Sequence, residues 1–274
     1  MKTIEVVAAI LRLGEATQGS IPFRVCPSFR PDRYLAEPDG AAAKALCEQY
    51  GADGLDTALA KALDFFRENG CLVSDHGFSD FPYLSDPGFA ARLRFLGAAY
   101  AARGVVMQLH LGPIRNVSPR LMRSFGADAG GDSVGRTTDP FALGAFLGDL
   151  EESDALPRAI LYNLNPADNR MLASMAGNFA PKVQYGAAWW FNDHLRGIEA
   201  QLDELAETGA LAASVGMLTD SHSFTSFVRH EYYRRILCRK LGRLAEEGLY
   251  PRDEQALGGI VADVCYGNAA RFFG

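Results

Sequence analysis

Two apolar runs in the second half of the chain are each followed at once by side chains that could do chemistry. Val183–Ala187 leads to the indole of Trp189, and Val215–Leu218 leads to Asp220 and His222. A carboxylate or an imidazole can transfer a proton, and an indole presents a flat apolar face. Because α/β enzymes place such groups at the carboxyl ends of buried strands, this pattern predicts one wall of an active site.

Further polar side chains follow the other apolar runs. Arg30 ends the run 21–29, Asp75 comes soon after Cys71–Val73, and His110 follows Val105–Leu109. An arginine beside Pro-Asp at a strand end suits a carboxylate anion. These residues indicate a site for a polyol or a sugar acid, in which Asp220 and His110 are expected to lie near the carbons of the substrate that react.

Individual residues also have readings without a catalytic role. Asp220 could instead cap the helix that follows it, and Trp189 and Trp190 could simply close a barrel mouth. His76 is expected to be a surface or hydrogen-bonded loop residue. His110 is the histidine for which function is favoured, because an unpaired imidazole at the end of an apolar strand would be costly to bury.

The elements that would position these residues alternate along the chain. Six near-continuous apolar runs are separated by amphipathic segments, which predicts a parallel sheet covered by helices. Asp86 and Pro87 indicate a helix start, and Gly104 indicates its end. Gly112–Thr138 reads as a long loop. Because no run is followed by Gly-x-Gly-x-x-Gly or a P-loop, we favour a distorted, incomplete (β/α)8 TIM-type barrel with about six βα units over a doubly wound sheet.

Composition narrows the classes of partner. With 27 basic and 33 acidic residues the net charge is −6, so nothing indicates binding to nucleic acid or to an anionic membrane. The first residues lack the apolar core of a signal peptide, and no stretch is long enough to span a bilayer. Five scattered cysteines suit a reducing cytoplasm. We expect residues 1–274 to form a single partial-barrel domain.

Several motifs, in order along the chain, resemble uronate isomerase, a family of the amidohydrolase superfamily. They are PSFRPD (27–32), ENGC with SDHG (68–77), QLHLG (108–112), LYNLNP (161–166), WWFND (189–193), GMLTDS (216–221) and RHEY (229–232). The resemblance runs from about residue 21 to the end of the chain. It implies a distorted (β/α)8 barrel that interconverts D-glucuronate with D-fructuronate and D-galacturonate with D-tagaturonate through a cis-enediol.

The resemblance also implies roles for single residues. Asp220 corresponds to the last-strand aspartate, which is a metal ligand and a proton-transfer group. His110 corresponds to the fifth-strand histidine and Asp75 to the fourth-strand aspartate. Trp189 corresponds to the active-site tryptophan, and Arg30 to a contact of the substrate carboxylate.

The chain departs from the family pattern in two ways. His222 stands where the family has an arginine, and imidazole cannot form the bidentate fork that guanidinium offers a carboxylate. The first two strands, with the His-x-His pair of metal ligands, have no counterpart in these residues. A divalent metal (Zn²⁺ or Mn²⁺) is therefore expected to be weakly held or absent, and this chain alone to be weakly active or inactive.

Two other functions remain open at this point. One is a non-catalytic remnant, or half of a split barrel, that acts as a pairing module. The other, less favoured, is a metal-dependent hydrolase. The expected small-molecule partner is a hexuronate, and the expected protein partner is a second copy of the chain or a complementing N-terminal segment.

Overall fold

The computed structural model of the chain describes residues 25–221 and 223–274. Within them, strands and helices alternate along the sequence. The strands are β1 (Ser28–Phe29), β2 (Val73–Phe78), β3 (Val106–Leu111), β4 (Pro113–Ile114), β5 (Ser133–Val134), β6 (Ala159–Asn163) and β7 (Val183–Tyr185).

All the helices in the described part of the chain lie between these strands or after the last one. They are α1 (Asp32–Ala36), α2 (Ala41–Tyr50), α3 (Leu55–Glu68), α4 (Pro87–Arg103), α5 (Pro119–Phe125), α6 (Pro140–Glu152), α7 (Asn169–Asn178), α8 (Leu195–Glu207), α9 (Val228–Glu246), α10 (Glu254–Ala262) and α11 (Asn268–Phe273). Short 3-10 turns occupy Pro166–Asp168, Trp190–Asn192, Leu211–Ala213 and Phe224–Phe227, and a π-helical turn at Asp263–Gly267 joins α10 to α11.

The main sheet has the strand order β1-β2-β3-β6-β7. The pairs β1–β2 and β6–β7 are parallel, with Phe29 opposite Ser74 and Leu161 opposite Tyr185. Strands β4 and β5 form a separate antiparallel pair. Every residue of β6 is buried. This burial is typical of a parallel strand that is covered on both faces, as the sequence predicts.

The chain divides into two compact units. Of the described residues, unit 1 contains 25–76, 82–108 and 145–158, and unit 2 contains 77–81, 109–144, 159–221 and 223–274. The core of unit 1 includes Leu59, Leu63 and Leu93, and that of unit 2 includes Leu161 and Leu202, all of them almost completely buried. The expectation of a single domain over 1–274 remains a prediction.

Helix α4 shows how local sequence sets these elements. The carboxylate of Asp86 accepts hydrogen bonds from the main-chain nitrogens of Gly88 and Phe89, and Pro87 occupies the first turn. Gly104 ends the helix with a left-handed φ of 64°, a conformation that glycine adopts without a Cβ penalty. The predicted start and end of this helix are both confirmed.

Five of the six apolar runs carry a strand within the described residues, and Val215–Leu218 does not. Its main chain packs instead on the C-terminal helices: a Cβ on Gly216 would lie 2.2 Å from the carbonyl oxygen of Val264. Asn268 Nδ2 donates to the carbonyl of Ser214 at 2.9 Å. The prediction of a strand at Val215–Leu218 is therefore wrong, because contacts with distant helix residues take the place of a neighbouring strand.

Two further predictions from the sequence concern the loop 112–138 and the N-terminal residues. The loop Gly112–Thr138 contains the β4–β5 pair and the short helix α5, for which Ser118 supplies the capping hydroxyl. The N-terminal sequence MKTIEVVAAILRLGEA (1–16) predicts an amphipathic helix, and these residues lie outside the described part of the chain. No helix in the described part of the chain is long and apolar enough to cross a membrane.

Candidate active site

His110 lies in unit 2, at the next-to-last position of β3, and is 6% exposed. Its imidazole stacks face to face on the ring of Tyr162, with centroids 4.6 Å apart and planes 9° apart. The indole of Trp189 meets the same imidazole at 4.5 Å, with the planes tilted by 58°. Two aromatic side chains therefore fix the plane of this predicted catalytic residue.

Trp189 also connects His110 to Asp220. The indole nitrogen donates a hydrogen bond of 2.6 Å to Asp220 Oδ2. Trp189 is buried, whereas Asp220 is exposed and has a φ of 45°, a backbone conformation that non-glycine residues rarely adopt. A buried donor thus holds an exposed carboxylate at a residue with an unusual backbone angle.

Trp190 begins the 3-10 turn after Trp189 and has a φ of 54°. Its ring centroid lies 5.4 Å from that of Trp189 and 5.2 Å from that of Phe191, and the Phe191 plane is only 18° from parallel. The guanidinium of Arg115 lies 4.6 Å from the centroid of Trp190. Three neighbouring groups thus contact the Trp190 ring. The contact with substrate that is expected for Trp190 stays a prediction.

The loop after Trp190 is tied down at two consecutive residues. Asn192 Nδ2 donates to the carbonyl of Leu164 at 2.9 Å, which anchors the loop beyond the end of β6. Arg229, near the start of α9, donates through its guanidinium to both the carboxylate and the main-chain carbonyl of Asp193. This ion pair raises the pKa of Arg229, chiefly through the hydrogen bond to Asp193.

The segment 112–138 is held by two buried carboxylates. Asp132 accepts from the guanidinium of Arg115 at 3.0 Å and from the main-chain nitrogen of Asn116 at 2.8 Å. Asp168 accepts from the main-chain nitrogen of Thr138 at 2.9 Å, and burial raises the pKa of its carboxyl. The Asp132 bonds therefore fold the segment on itself and hold Arg115 in place beside Trp190, and the Asp168 bond attaches the C-terminal end of the segment.

Unit 1 contains the other predicted pair. Arg30 Nη1 lies 2.7 Å from Asp75 Oδ2, and Arg30 Nε lies 3.1 Å from Asp32 Oδ2. His76 lies within β2 rather than in a loop and is completely buried, unlike the surface or loop position expected for it. The strand continues past it because its side chains alternate between buried and partly exposed positions.

The structure thus groups the predicted site residues as follows. His110, Trp189, Trp190 and Asp220 form a connected cluster in unit 2, and Arg30 pairs with Asp75 in unit 1. His222 lies outside the described residues. The catalytic, substrate-binding and metal-binding roles given to these residues remain predictions.

The sequence interpretation did not include four residues that shape these groups: Tyr162, Arg115, Arg229 and Asp32. A tyrosine at the end of an apolar run was a visible signal for Tyr162, since a buried phenol must find partners. Asp32 follows Arg30 closely in the same motif. Arg229 begins the RHEY motif, but neither that motif nor the sequence around Arg115 indicates a partner, because each arginine contacts residues far away in the sequence.

A catalytic divalent metal such as zinc needs several donor side chains that converge on one point. In the described part of the chain, no three His, Cys, Asp or Glu side chains are arranged to hold a metal ion. Asp220, the implied ligand, directs one carboxylate oxygen to the Trp189 indole. The described residues do not by themselves form the set of three or more ligands that a catalytic zinc requires.

Comparisons with known proteins identify relatives of this chain. A family model for glucuronate isomerase matches residues 89–273. The uronate isomerases of Salmonella heidelberg (strain SL476) and Salmonella paratyphi B are each 42% identical to this chain over an alignment 298 positions long. The alignment covers 94% of this chain and 63% of the relative.

Solved structures agree with this match. The uronate isomerase of Thermotoga maritima superposes with a TM-score of 0.84 at 27% identity, covering 98% of this chain and 66% of that one. The glucuronate isomerase of Caulobacter crescentus also gives 0.84, at 25% identity, covering 99% and 62%. The chain spans less than two thirds of the length of these relatives.

The parallel sheet, the alternating helices and the cluster beside its strands define an α/β protein of the (β/α)8-barrel type, in which the described residues form no closed barrel. This confirms the predicted fold class, a distorted and incomplete barrel. The chain belongs to the glucuronate isomerase family.

Proposed function

We propose that this chain carries out, or contributes to, the aldose–ketose isomerisation of hexuronates. The substrates would be D-glucuronate, giving D-fructuronate, and D-galacturonate, giving D-tagaturonate. The observation that supports the proposal is the connected cluster in which Trp189 holds the carboxylate of Asp220 and also contacts His110. A carboxylate of fixed orientation that is linked to an imidazole through one indole is suited to moving a proton between neighbouring carbons.

In the proposed reaction, a carboxylate removes the proton from C2 of the open-chain aldehyde. The electrons of that C–H bond form the C1–C2 double bond, and O1 gains a proton to give a cis-enediol. Return of a proton to C1 and loss of the O2 proton give the ketose, so no atoms are gained or lost. Asp220 is assigned the carbon proton transfer, and His110 is assigned hydrogen bonding to the oxygen on which charge develops.

Arg30 and Asp75 keep the roles that the sequence predicts for them. Arg30 is assigned to a carboxylate of the substrate, and Asp75, as the fourth-strand aspartate, to a catalytic role. Trp189, Trp190 and His222 are assigned to substrate contact. A divalent metal with Asp220 as one ligand is part of the family expectation, but no step described above is routed through it.

The test is turnover of D-glucuronate and D-galacturonate, with and without added Zn²⁺ or Mn²⁺. It should be run on the chain alone and on the chain mixed with the N-terminal part of the Salmonella relative that it does not span. We expect weak or no ketose formation from the chain alone, and formation in the mixture that falls by about 100-fold or more in Asp220→Asn.

The matched control is Asp203→Asn, which alters an exposed aspartate paired with Lys240 on the surface of α8 and α9. This control should turn over like the wild type. Ketose formation that survives Asp220→Asn would contradict the role given to Asp220. A folded, monodisperse chain that gives no turnover under either condition would favour the non-catalytic pairing module instead.

The proposed setting follows from the same family membership. The substrate is a small hexuronate, and the cytoplasm is the proposed location. The protein partner would be a second copy of the chain or a complementing N-terminal segment. Sedimentation of the chain alone and in the mixture would distinguish these two partners.

A further inference from the structure

The ion pair of unit 1 follows from strand register. In the parallel pair β1–β2, Phe29 lies opposite Ser74, so the next residues, Arg30 and Asp75, leave the ladder side by side. Their side chains meet at 2.7 Å between Nη1 and Oδ2. The guanidinium also donates through Nε to Asp32 Oδ2 at 3.1 Å, and half of the Arg30 side chain remains exposed.

The second oxygen of Asp32 continues the hydrogen-bonded chain into the core. Asp32 Oδ1 lies 2.9 Å from His76 Nδ1, and His76 Nε2 lies 3.1 Å from the hydroxyl of Tyr100. His76 and Tyr100 are both completely buried. A carboxylate can only accept, so the ring proton of the neutral His76 lies on Nδ1, and Nε2 accepts from the Tyr100 hydroxyl. Nδ1–H then donates to the Asp32 carboxylate.

This arrangement joins the two faces of β2. His76 occupies a buried position of the strand and Asp75 the preceding, partly exposed one, so their side chains point to opposite faces. Arg30, which follows β1 directly, and Asp32, which begins α1, connect the two faces through hydrogen bonds. Because the core imidazole can rotate little among buried neighbours, its hydrogen bond fixes Asp32, and Asp32 in turn fixes the guanidinium.

We propose that Asp32 and His76 are positioning residues for the Arg30–Asp75 pair and act through the guanidinium of Arg30. The proposal rests on the function given above, in which Arg30 and Asp75 contact the substrate. Neither Asp32 nor His76 needs to touch the substrate. Their contribution is to hold an otherwise half-exposed arginine in one orientation, which preorganises it for a carboxylate.

The first test needs no substrate. Heteronuclear NMR of the folded chain reports the Nε–H resonance of Arg30 and the imidazole N–H resonance of His76. We expect the imidazole signal to lie far downfield and to move in Asp32→Asn. We also expect the Arg30 signal to move in His76→Gln, although His76 does not contact Arg30. An Arg30 signal that is unchanged in His76→Gln would overturn the proposal.

Tyr100→Phe serves if His76→Gln does not fold. It removes one hydroxyl and keeps the ring that packs 6.3 Å, centroid to centroid, from Phe29. A smaller shift of the same Arg30 resonance is expected from this variant, and no shift would count against the proposal. Asp64→Asn is the matched control, because Asp64 accepts from Arg103 Nε at 2.6 Å in an exposed pair of the same unit.

The second test is a double-mutant cycle on hexuronate affinity, measured by titration calorimetry with D-glucuronate in the mixture described above. Asp32→Asn should weaken binding by about tenfold in the wild-type background and by less than about twofold in the Arg30→Gln background. Equal effects in both backgrounds would show that Asp32 does not act through Arg30. Failure of the wild-type mixture to bind the hexuronate would contradict the proposed function, while the NMR test would still decide the positioning role.

Discussion

The indole nitrogen of Trp189 donates a hydrogen bond of 2.6 Å to the carboxylate of Asp220, 31 residues further along the chain. The donor is buried and the acceptor is exposed. A bond to a charged acceptor contributes about 1.5–3 kcal/mol. It therefore offsets part of the cost of the left-handed backbone angle at Asp220 and keeps the carboxylate in one place.

This bond can be observed through tryptophan fluorescence. The chain has two tryptophans, so Trp190→Phe leaves Trp189 as the only indole. In that background, Asp220→Asn should change the emission intensity and wavelength of Trp189, because the charged acceptor of its N–H is replaced by a neutral amide. Asp203→Asn in the same background should leave the spectrum unchanged. Identical spectra for the two variants would contradict the bond.

Gly186 is expected to be needed for the stack between Tyr162 and His110. A Cβ at this position would lie 2.1 Å from Cε1 and 2.3 Å from Cδ1 of Tyr162, far inside van der Waals contact. We expect Gly186→Ala to lower the free energy of unfolding by about 1–3 kcal/mol. The ring-proton resonances of His110 should also shift, because the stacked phenol has to move.

The control for that variant is Gly148→Ala in α6, where a Cβ would have no neighbour within 4 Å. Alanine in an open helical position should leave stability unchanged or raise it by about 0.5–1 kcal/mol. Urea denaturation of the two variants gives the comparison. A Gly186→Ala protein as stable as Gly148→Ala would show that Tyr162 has room to relax.

Arg229 should contribute to stability through a single buried partner. The Asp193 side chain is 6% exposed, and its Oδ1 has no hydrogen-bond partner within the described residues, so Arg229→Gln leaves a buried carboxylate without its cation. Removing one member of a fully buried pair costs about 3–5 kcal/mol; partial exposure of Arg229 reduces this to about 2–3 kcal/mol. Thermal or urea denaturation measures the loss.

Two comparisons make that measurement specific. Adding Asp193→Asn to Arg229→Gln should restore part of the stability, because the buried charge is removed as well. Arg196→Gln, which breaks an exposed pair with Glu199, should cost less than about 1 kcal/mol. Equal losses for Arg196→Gln and Arg229→Gln would show that the Asp193 pair is no stronger than a surface pair.

His230 should make stability depend on pH. Burial lowers the pKa of its imidazole, and the charge of Arg234 lowers it further, whereas Asp193 opposes the shift. As the pH falls through the ordinary value of about 6.5, the unfolded state takes up a proton before the folded state does, so stability falls until the lowered folded pKa is passed. Urea midpoints at about pH 7.5 and about pH 5.5 should differ less in His230→Gln than in the wild type.

The helices of this chain could be predicted because their signals are local. The cap of Asp86, the first-turn Pro87 and the left-handed Gly104 each act within a few residues of a helix end. The same reasoning placed five of the six strands but failed for Val215–Leu218. That run has the composition of a strand, yet the carbonyl of the preceding Ser214 accepts a hydrogen bond from Asn268, and Gly216 packs on Val264, contacts that no local pattern reveals.

The residue types that stand near the strands and, through the motifs, the family of the chain can be read directly from the amino-acid sequence. The position of Asp75 beside Arg30, the stack of Tyr162 on His110 and the hold of Trp189 on Asp220 were decided only by tertiary structure. Each of these contacts joins residues 31 to 52 positions apart. Strand register and packing bring them together, because the local sequence around either residue favours a helix or a strand but does not select which distant side chain it will meet.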